Sequence, residues 1–163
     1  MKKEFKEYDE ETLQKIQQTE MEILKDFIEV CEKHNLTYFG IAGTGIGALR
    51  HQGFIPWDDD IDVAMPRDDF ERLVRFIEKE KGDKYLIMDT KHYPNYPLMT
   101  TRITMRGTKF KEEALKSIDA PMGIFLDLYP LDKMSDDPKE AKKQARDAWF
   151  WSKILILRSI PFP

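Results

Sequence analysis

Apolar residues at Leu13, Ile16, Ile23, Leu24, Phe27, Ile28 and Cys31 recur at steps of three and four, with charges between them. That is the period of one long amphipathic helix, with Asp9 placed to cap its start and His34-Asn35 to end it. Its apolar stripe reads as core packing. Residues 37–42 read as a short buried strand, followed by a glycine-rich turn, Gly43-Thr-Gly-Ile-Gly47, that leads into a short helix through Leu49 and Arg50. Gly53 and Pro56 break the chain again. Residues 60–65 begin by alternating polar and apolar as a half-buried strand does, and Pro66 stops them. Asp68, Asp69, Phe70, Leu73, Val74, Phe76 and Ile77 then predict a second helix, ending near Lys79.

Past Gly82, residues 85–88 are a strand candidate, and the Pro- and Tyr-rich residues 91–97 a loop. Residues 98–105 and 108–110 predict a hairpin turning at Arg106-Gly107. Residues 124–129 alternate cleanly and end at Pro130. Asp136-Asp137-Pro138 is a strong helix start, and the last helix is expected to reach Arg158. Strands and helices intermingle without an internal repeat. The class is therefore α/β or α+β: a small mixed sheet flanked by helices, with a long helix at the N-terminus.

Composition narrows the classes further. A chain of 163 residues is one domain's worth, with 41% apolar and 34% charged residues. Eight Gly, nine Pro and nineteen aromatics exclude collagen-like, low-complexity and disordered classes. A net charge of −4 gives no general attraction for nucleic acid, so an anionic substrate must be held by something other than net charge. Cys31 is the only cysteine, which excludes an intrachain disulfide and a thiolate-rich zinc site. The first residues have no apolar signal core and no apolar run is long enough to span a bilayer, so a soluble cytoplasmic protein is expected.

The densest chemical feature is Pro56-Trp-Asp-Asp-Asp-Ile-Asp62. On a strand, Asp60 and Asp62 would project to the same side, about 6 to 7 Å apart. Carboxylates so close raise each other's pKa, and a divalent cation with hard oxygen ligands removes that cost. Asp58-x-Asp60-x-Asp62 also matches the opening of a calcium loop. Val63 and Pro66 stand at its sixth and ninth positions, however, and exclude the turn it needs. Gly43-Thr-Gly-Ile-Gly-Ala48 fits the dinucleotide fingerprint, but only nine residues separate Ala48 from Asp58, too few for a crossover helix. The turn still offers backbone N–H groups at a helix start, where a phosphate can sit. A phosphate cradle next to a metal site is what phosphoryl or nucleotidyl transfer requires.

The stretch from Gly43 to Phe70, with Gly-Thr-Gly-Ile-Gly-Ala-Leu-Arg-His-Gln-Gly-Phe-Ile-Pro-Trp-Asp-Asp-Asp-Ile-Asp at its heart, resembles the signature of the LicD family. With its fukutin-like relatives, that family lies in the nucleotidyltransferase-fold superfamily. The resemblance implies transfer of phosphocholine, or a similar polyol phosphate, from a CDP-activated donor such as CDP-choline to a cell-surface glycan or glycolipid such as teichoic acid or lipopolysaccharide. It places the superfamily's glycine-small pair on Gly43 and Thr44 and its metal acids on Asp60 and Asp62. It places the third acid on Asp127, within Gly123-Ile-Phe-Leu-Asp-Leu-Tyr-Pro-Leu-Asp132. The implied cofactor is Mg²⁺ or Mn²⁺, and the implied location the cytoplasm, at the inner face of the membrane. Alternatives are nucleotidyl transfer to a protein or small molecule, and an inactive binding module of the same fold.

The strand pattern agrees on Asp127: Ile124, Leu126 and Leu128 form one apolar face, leaving Phe125, Asp127 and Tyr129 on the other. Asp127 would complete the metal site and take the acceptor hydroxyl's proton. Among the cations, Arg50, His51 and Arg102 are the candidates for gripping phosphate, with Arg67, Arg106 and Lys109 as reserves. Tyr93, Tyr96 and Tyr129 are candidates for stacking on a base or holding a trimethylammonium. Trp149-Phe-Trp151 and Ile154-Leu-Ile-Leu157 make the last helix apolar over much of its circumference. Proteins of the family usually run past this point. Residues 1–163 are thus expected to be the catalytic domain of a longer design, the last helix packing on residues beyond it, a partner subunit or a membrane-borne acceptor.

Overall fold

The structure, a computed structural model, describes residues 8–110, 115 and 118–159. The first helix, α1, spans Glu10–His34. The Asp9 carboxylate accepts from the Thr12 N–H, Glu10 and Glu11 sit in the first turn, and Asn35 closes the helix in the left-handed conformation. Both ends fall where the caps predict.

The strands are β1 (Phe39–Gly40), β2 (Asp62–Pro66), β3 (Tyr85–Met88), β4 (Thr101–Met105) and β5 (Phe125–Leu131). They form one sheet in the order β1-β2-β5-β4-β3. Among the described residues, only β2 and β5 run parallel; the other pairs are antiparallel. The remaining helices are α2 (Ala42–His51), α3 (Arg67–Glu80) and α4 (Pro138–Ser159). This is the α+β class with a small mixed sheet and a long N-terminal helix.

One face of the sheet carries Val63, Met65, Ile87, Ile103, Leu126 and Leu128. Ile23, Phe27 and Val30 of α1 and Phe70, Leu73 and Ile77 of α3 bury against it and form the main core. A cluster of α1 and β3 ties the layers at the rim: the Asp26 carboxylate accepts from the Tyr85 hydroxyl at 2.5 Å and from Lys84 Nζ at 2.6 Å. On the other face, Met88, Tyr96, Leu115 and Met122 make a second, smaller apolar cluster.

Several local expectations are corrected. Residues 37–42 yield only the two-residue edge strand β1, and it is exposed, because it pairs with β2 on one side alone. The glycines 43–47 do not form a turn before a helix; they are the first turns of α2 itself. β2 begins at Asp62, so Asp60 lies in the segment leading into the strand. There is no hairpin at Arg106-Gly107: residues 108–110 form no strand, and β4 pairs with β3 and β5 instead. β5 continues through Pro130, at a point where it has already run past β4, so the missing N–H interrupts no β4 ladder.

Candidate active site

The acids converge through sheet register. Asp62 of β2 stands opposite Asp127 of β5, and Asp127 opposite Arg102 of β4. Residues in register on neighbouring strands share a face, so the three side chains form a row on the face away from α1 and α3. All three are buried: 8% exposed for Asp62, 6% for Asp127 and 7% for Arg102.

Arg102 Nε donates to Asp127 Oδ1 at 3.0 Å, and its guanidinium lies 3.6 Å from the centre of the Phe125 ring. Burial raises the Asp127 pKa, and the charge and hydrogen bond of Arg102 only partly oppose that. Burial likewise raises Asp62, against a hydrogen bond from Tyr129 and the charge of Arg102. Asp60 is pushed up to about 7 by burial first, then by Asp62, Asp58, Asp59 and Asp127. Asp58 is raised by burial and by Asp59 and Asp62.

The helix start of α2 is latched onto this row. The Thr44 hydroxyl accepts from the Asp62 N–H at 2.8 Å, and the Ile41 N–H donates to the Asp62 carbonyl at 3.1 Å. No side chain caps α2, so the N–H groups of its first turn face outward from Ala42, Gly43 and Thr44 without an intrahelical partner. Gly43 is where a side chain would not fit: its Cβ would lie 2.3 Å from Asp58 Oδ2. The glycine lets that carboxylate approach the helix start.

The expected site residues thus divide. Asp62, Asp127 and Arg102 share the row, Asp60 lies just ahead of it, and Gly43 and Thr44 adjoin it. Arg50 and His51 lie exposed in the last turn of α2, at the opposite end of that helix from Gly43. Arg102 is spent on Asp127, which changes its expected role from phosphate grip to partner of the acid. Of the candidate aromatics, Tyr96 is buried in the smaller apolar cluster, while Tyr129 bonds Asp62 at the site itself. Arg67 pairs with Asp132 at 2.6 Å, and Arg106 donates to the Gly82 carbonyl.

One residue escaped the sequence reading. Glu20 of α1 is 1% exposed, and its Oε2 is buried without a hydrogen-bond partner. The signal was present: Ile16, Glu20, Ile23 and Phe27 are one buried stripe, and a carboxylate occupies a core position in it.

No group of three or more His, Cys, Asp or Glu side chains among the described residues is drawn together closely enough to hold an ion as arranged. By donor chemistry the residues nonetheless suit a hard cation. They are all carboxylates, and they raise one another's pKa.

A mixed sheet that carries acids on adjacent strands beside a glycine-rich helix start places the chain in a class, the nucleotidyltransferase-type domains. Residues 35–153 match the LicD/FKTN/FKRP nucleotidyltransferase domain. The chain belongs to that family. It is 35% identical over 129 residues to the lipopolysaccharide cholinephosphotransferase LicD of Haemophilus influenzae, covering 78% of this chain and 47% of that protein. It is also 36% identical over 72 residues to an uncharacterized protein of Rickettsia typhi, covering 44% and 23%. A protein of Rickettsia prowazekii is 44% identical over 72 residues, covering 44% and 27%. The chain thus spans about half the length of the Haemophilus relative. No helix among the described residues is long and apolar enough to cross a membrane.

Proposed function

We propose that this domain transfers phosphocholine, or a similar polyol phosphate, from a CDP-activated donor to a hydroxyl of a cell-surface glycan such as lipopolysaccharide. The observation that carries this reading is the row Asp62-Asp127-Arg102 with the start of α2 latched onto it through Thr44. It sets an acidic cluster against outward-facing N–H groups, the two elements a pyrophosphate donor needs. The likeness to the Haemophilus cholinephosphotransferase supports the same choice of chemistry.

In this reading Asp60, Asp62 and Asp127 hold Mg²⁺ or Mn²⁺, which when bound neutralises charge on the donor's phosphates. The N–H groups of Gly43 and Thr44 bind a phosphate oxygen, and the N-terminal end of the α2 dipole favours that charge. The acceptor hydroxyl attacks the β-phosphorus, the bond to the bridging oxygen breaks, and CMP leaves. Asp127 takes the hydroxyl's proton. Its raised pKa makes it a better base than an exposed carboxylate, and Arg102 fixes the oxygen that does not accept the proton. Arg102 is therefore a positioning residue. Asp62 is held in turn by a hydrogen bond from Tyr129.

The test is ³¹P NMR of the protein with Mg²⁺ and a panel of CDP-linked donors and nucleoside triphosphates. The expected result is CMP formation from a CDP-linked donor, reduced about a hundredfold or more in Asp62→Asn. Nucleotidyl transfer from a triphosphate would replace this reading with a nucleotidyltransferase. If no nucleotide binds, with or without metal, the site reading is wrong.

A further inference from the structure

We infer that the cavity between α1 and α2 is a binding site for a small organic cation of the alkylated ammonium type, with Asp58 as its counter-charge. For a free cation of this kind the site is independent of the transfer chemistry. Where the cation is the head group of a donor, the inference rests on the transfer reading above.

The cavity holds about 280 Å³ and is walled by Met21 and Leu24 of α1, Ala48 of α2, and Phe54 and Ile61 from the segment between α2 and β2. Gly43 and Thr44, in the first turn of α2, close one side, and among the described residues that line the cavity Asp58 alone is charged. Leu24 and Phe54 pack against the main core and Ile61 belongs to it, so these walls are held in place. Met21, Gln52 and Gly53 are exposed and leave a mouth to solvent. Asp58 is fixed by its backbone: its carbonyl accepts from Gln17 Nε2 at 2.8 Å and its N–H donates to the Ile55 carbonyl at 2.9 Å. Its carboxylate lies against Gly43, yet no group among the described residues bonds to it or pairs with it. A half-buried, unpaired carboxylate thus stands on the wall of an apolar cavity.

Chemistry selects the occupant. An uncharged apolar molecule would suit the walls but strip water from the carboxylate and give it no partner. An anion would be repelled by Asp58. A divalent metal ion takes about six oxygen ligands, where this wall supplies one carboxylate. A nucleobase needs several placed donors and acceptors along its edge. Besides Asp58, the wall offers polar side chains only from Thr44 and Gln52, and the Thr44 hydroxyl already accepts from the Asp62 N–H. The volume lies at the small end of ligand sites, which run from about 300 to 1,000 Å³, and is too small for a whole nucleotide. An ammonium ion whose charge is spread over methyl or methylene groups meets every constraint. Those groups pack on Leu24, Ile61 and the polarizable Met21 thioether, the Phe54 ring attracts the charge, and the carboxylate balances it. Such a cation is either a free small molecule or the head group of a donor held at the adjoining start of α2.

The experiment is an NMR titration of the whole chain, labelled at its methionine methyl groups, with choline and with its uncharged carbon isostere, dimethylbutanol. Met21→Leu assigns the Met21 signal. Choline should move that signal and bind about tenfold or more tighter than the neutral alcohol. Asp58→Asn keeps the shape and removes the charge, so it should bring choline down to the level of the alcohol. Ala48→Phe fills the cavity from an exposed position of α2 and should abolish binding of both; it decides should the amide variant fail to fold. The inference is overturned if choline leaves Met21 unmoved, binds no better than the alcohol, or keeps its affinity in either folded variant. CDP-choline then separates the two sources. If it moves Met21 and competes with choline while CMP does neither, the site takes the head group of a donor. If choline binds unaffected by it, the site takes a free cation. Choline bound through Asp58 in a chain that forms no CMP from any CDP-linked donor would leave this site standing and remove the transfer reading.

Discussion

Single residues at this site act through their partners. Arg102 and Asp127 are buried together, so removing the guanidinium leaves a carboxylate with neither solvent nor counter-charge. Arg102→Ala is expected to cost about 3 to 5 kcal/mol in urea unfolding, and Arg102→Ala with Asp127→Ala together less than the sum of the two. At the rim, Asp26 shows the opposite balance. Burial alone would raise its pKa, but hydrogen bonds from Lys84, Tyr85 and Lys81 together hold it at about 2. A carboxylate whose folded pKa lies below its ordinary 3.8 stabilises the fold above pH 3.8 and loses that contribution as the pH falls towards 2. Asp26→Asn should therefore cost about 2 kcal/mol at neutral pH, with the gap to wild type closing as unfolding is measured from pH 4 down to pH 2. Of the residues that matter, the acids at 58–62 were plain in the sequence because a run of aspartates entering an apolar strand has few uses. Glu20 was hidden in a helix whose other stripe residues are ordinary core, and only its burial with an unpartnered oxygen sets it apart.

The elements show where local sequence is a sufficient guide. The boundaries of α1 are dictated by Asp9 and Asn35, residues whose capping geometry is local, and they were legible. The start of β2 was not, because it depends on where β5 pairs, and Asp62↔Asp127 is the first rung. Sheet order is equally non-local: the parallel insertion of β5 between β2 and β4 leaves no trace in either strand alone. The glycines of α2 mislead for a different reason. They are poor helix formers, yet they permit close approach: a Cβ on Gly45 would lie 3.0 Å from the Gly40 carbonyl oxygen, and one on Gly47 2.4 Å from that of Gly53. The second is a clash with backbone, which cannot swing aside. Gly47→Ala is expected to destabilise the protein by about 1 to 3 kcal/mol despite the better helix propensity of alanine. Gly53→Ala, which meets nothing within 4 Å, should fall within about 0.5 kcal/mol of wild type. Thermal melts of the two variants side by side separate packing from propensity.

At the scale of the whole molecule, stability is distributed unevenly. The sheet, α1 and α3 share one continuous core, whereas among the described residues α4 makes no comparable packing with the sheet or the other helices. Its aromatic stretch is open, with Trp149 62% and Trp151 66% exposed. Of the apolar residues that the sequence displays there, Phe150, Ile154 and Leu157 are exposed as well. A helix of 22 residues without tertiary support is marginal in water, because nucleation is costly and most helical stability in proteins comes from packing an apolar face. Two consequences can be measured on the same sample by hydrogen–deuterium exchange. The amides of α4 should exchange within the earliest time points, while those of β5 and the buried stripe of α1 should exchange only through global opening.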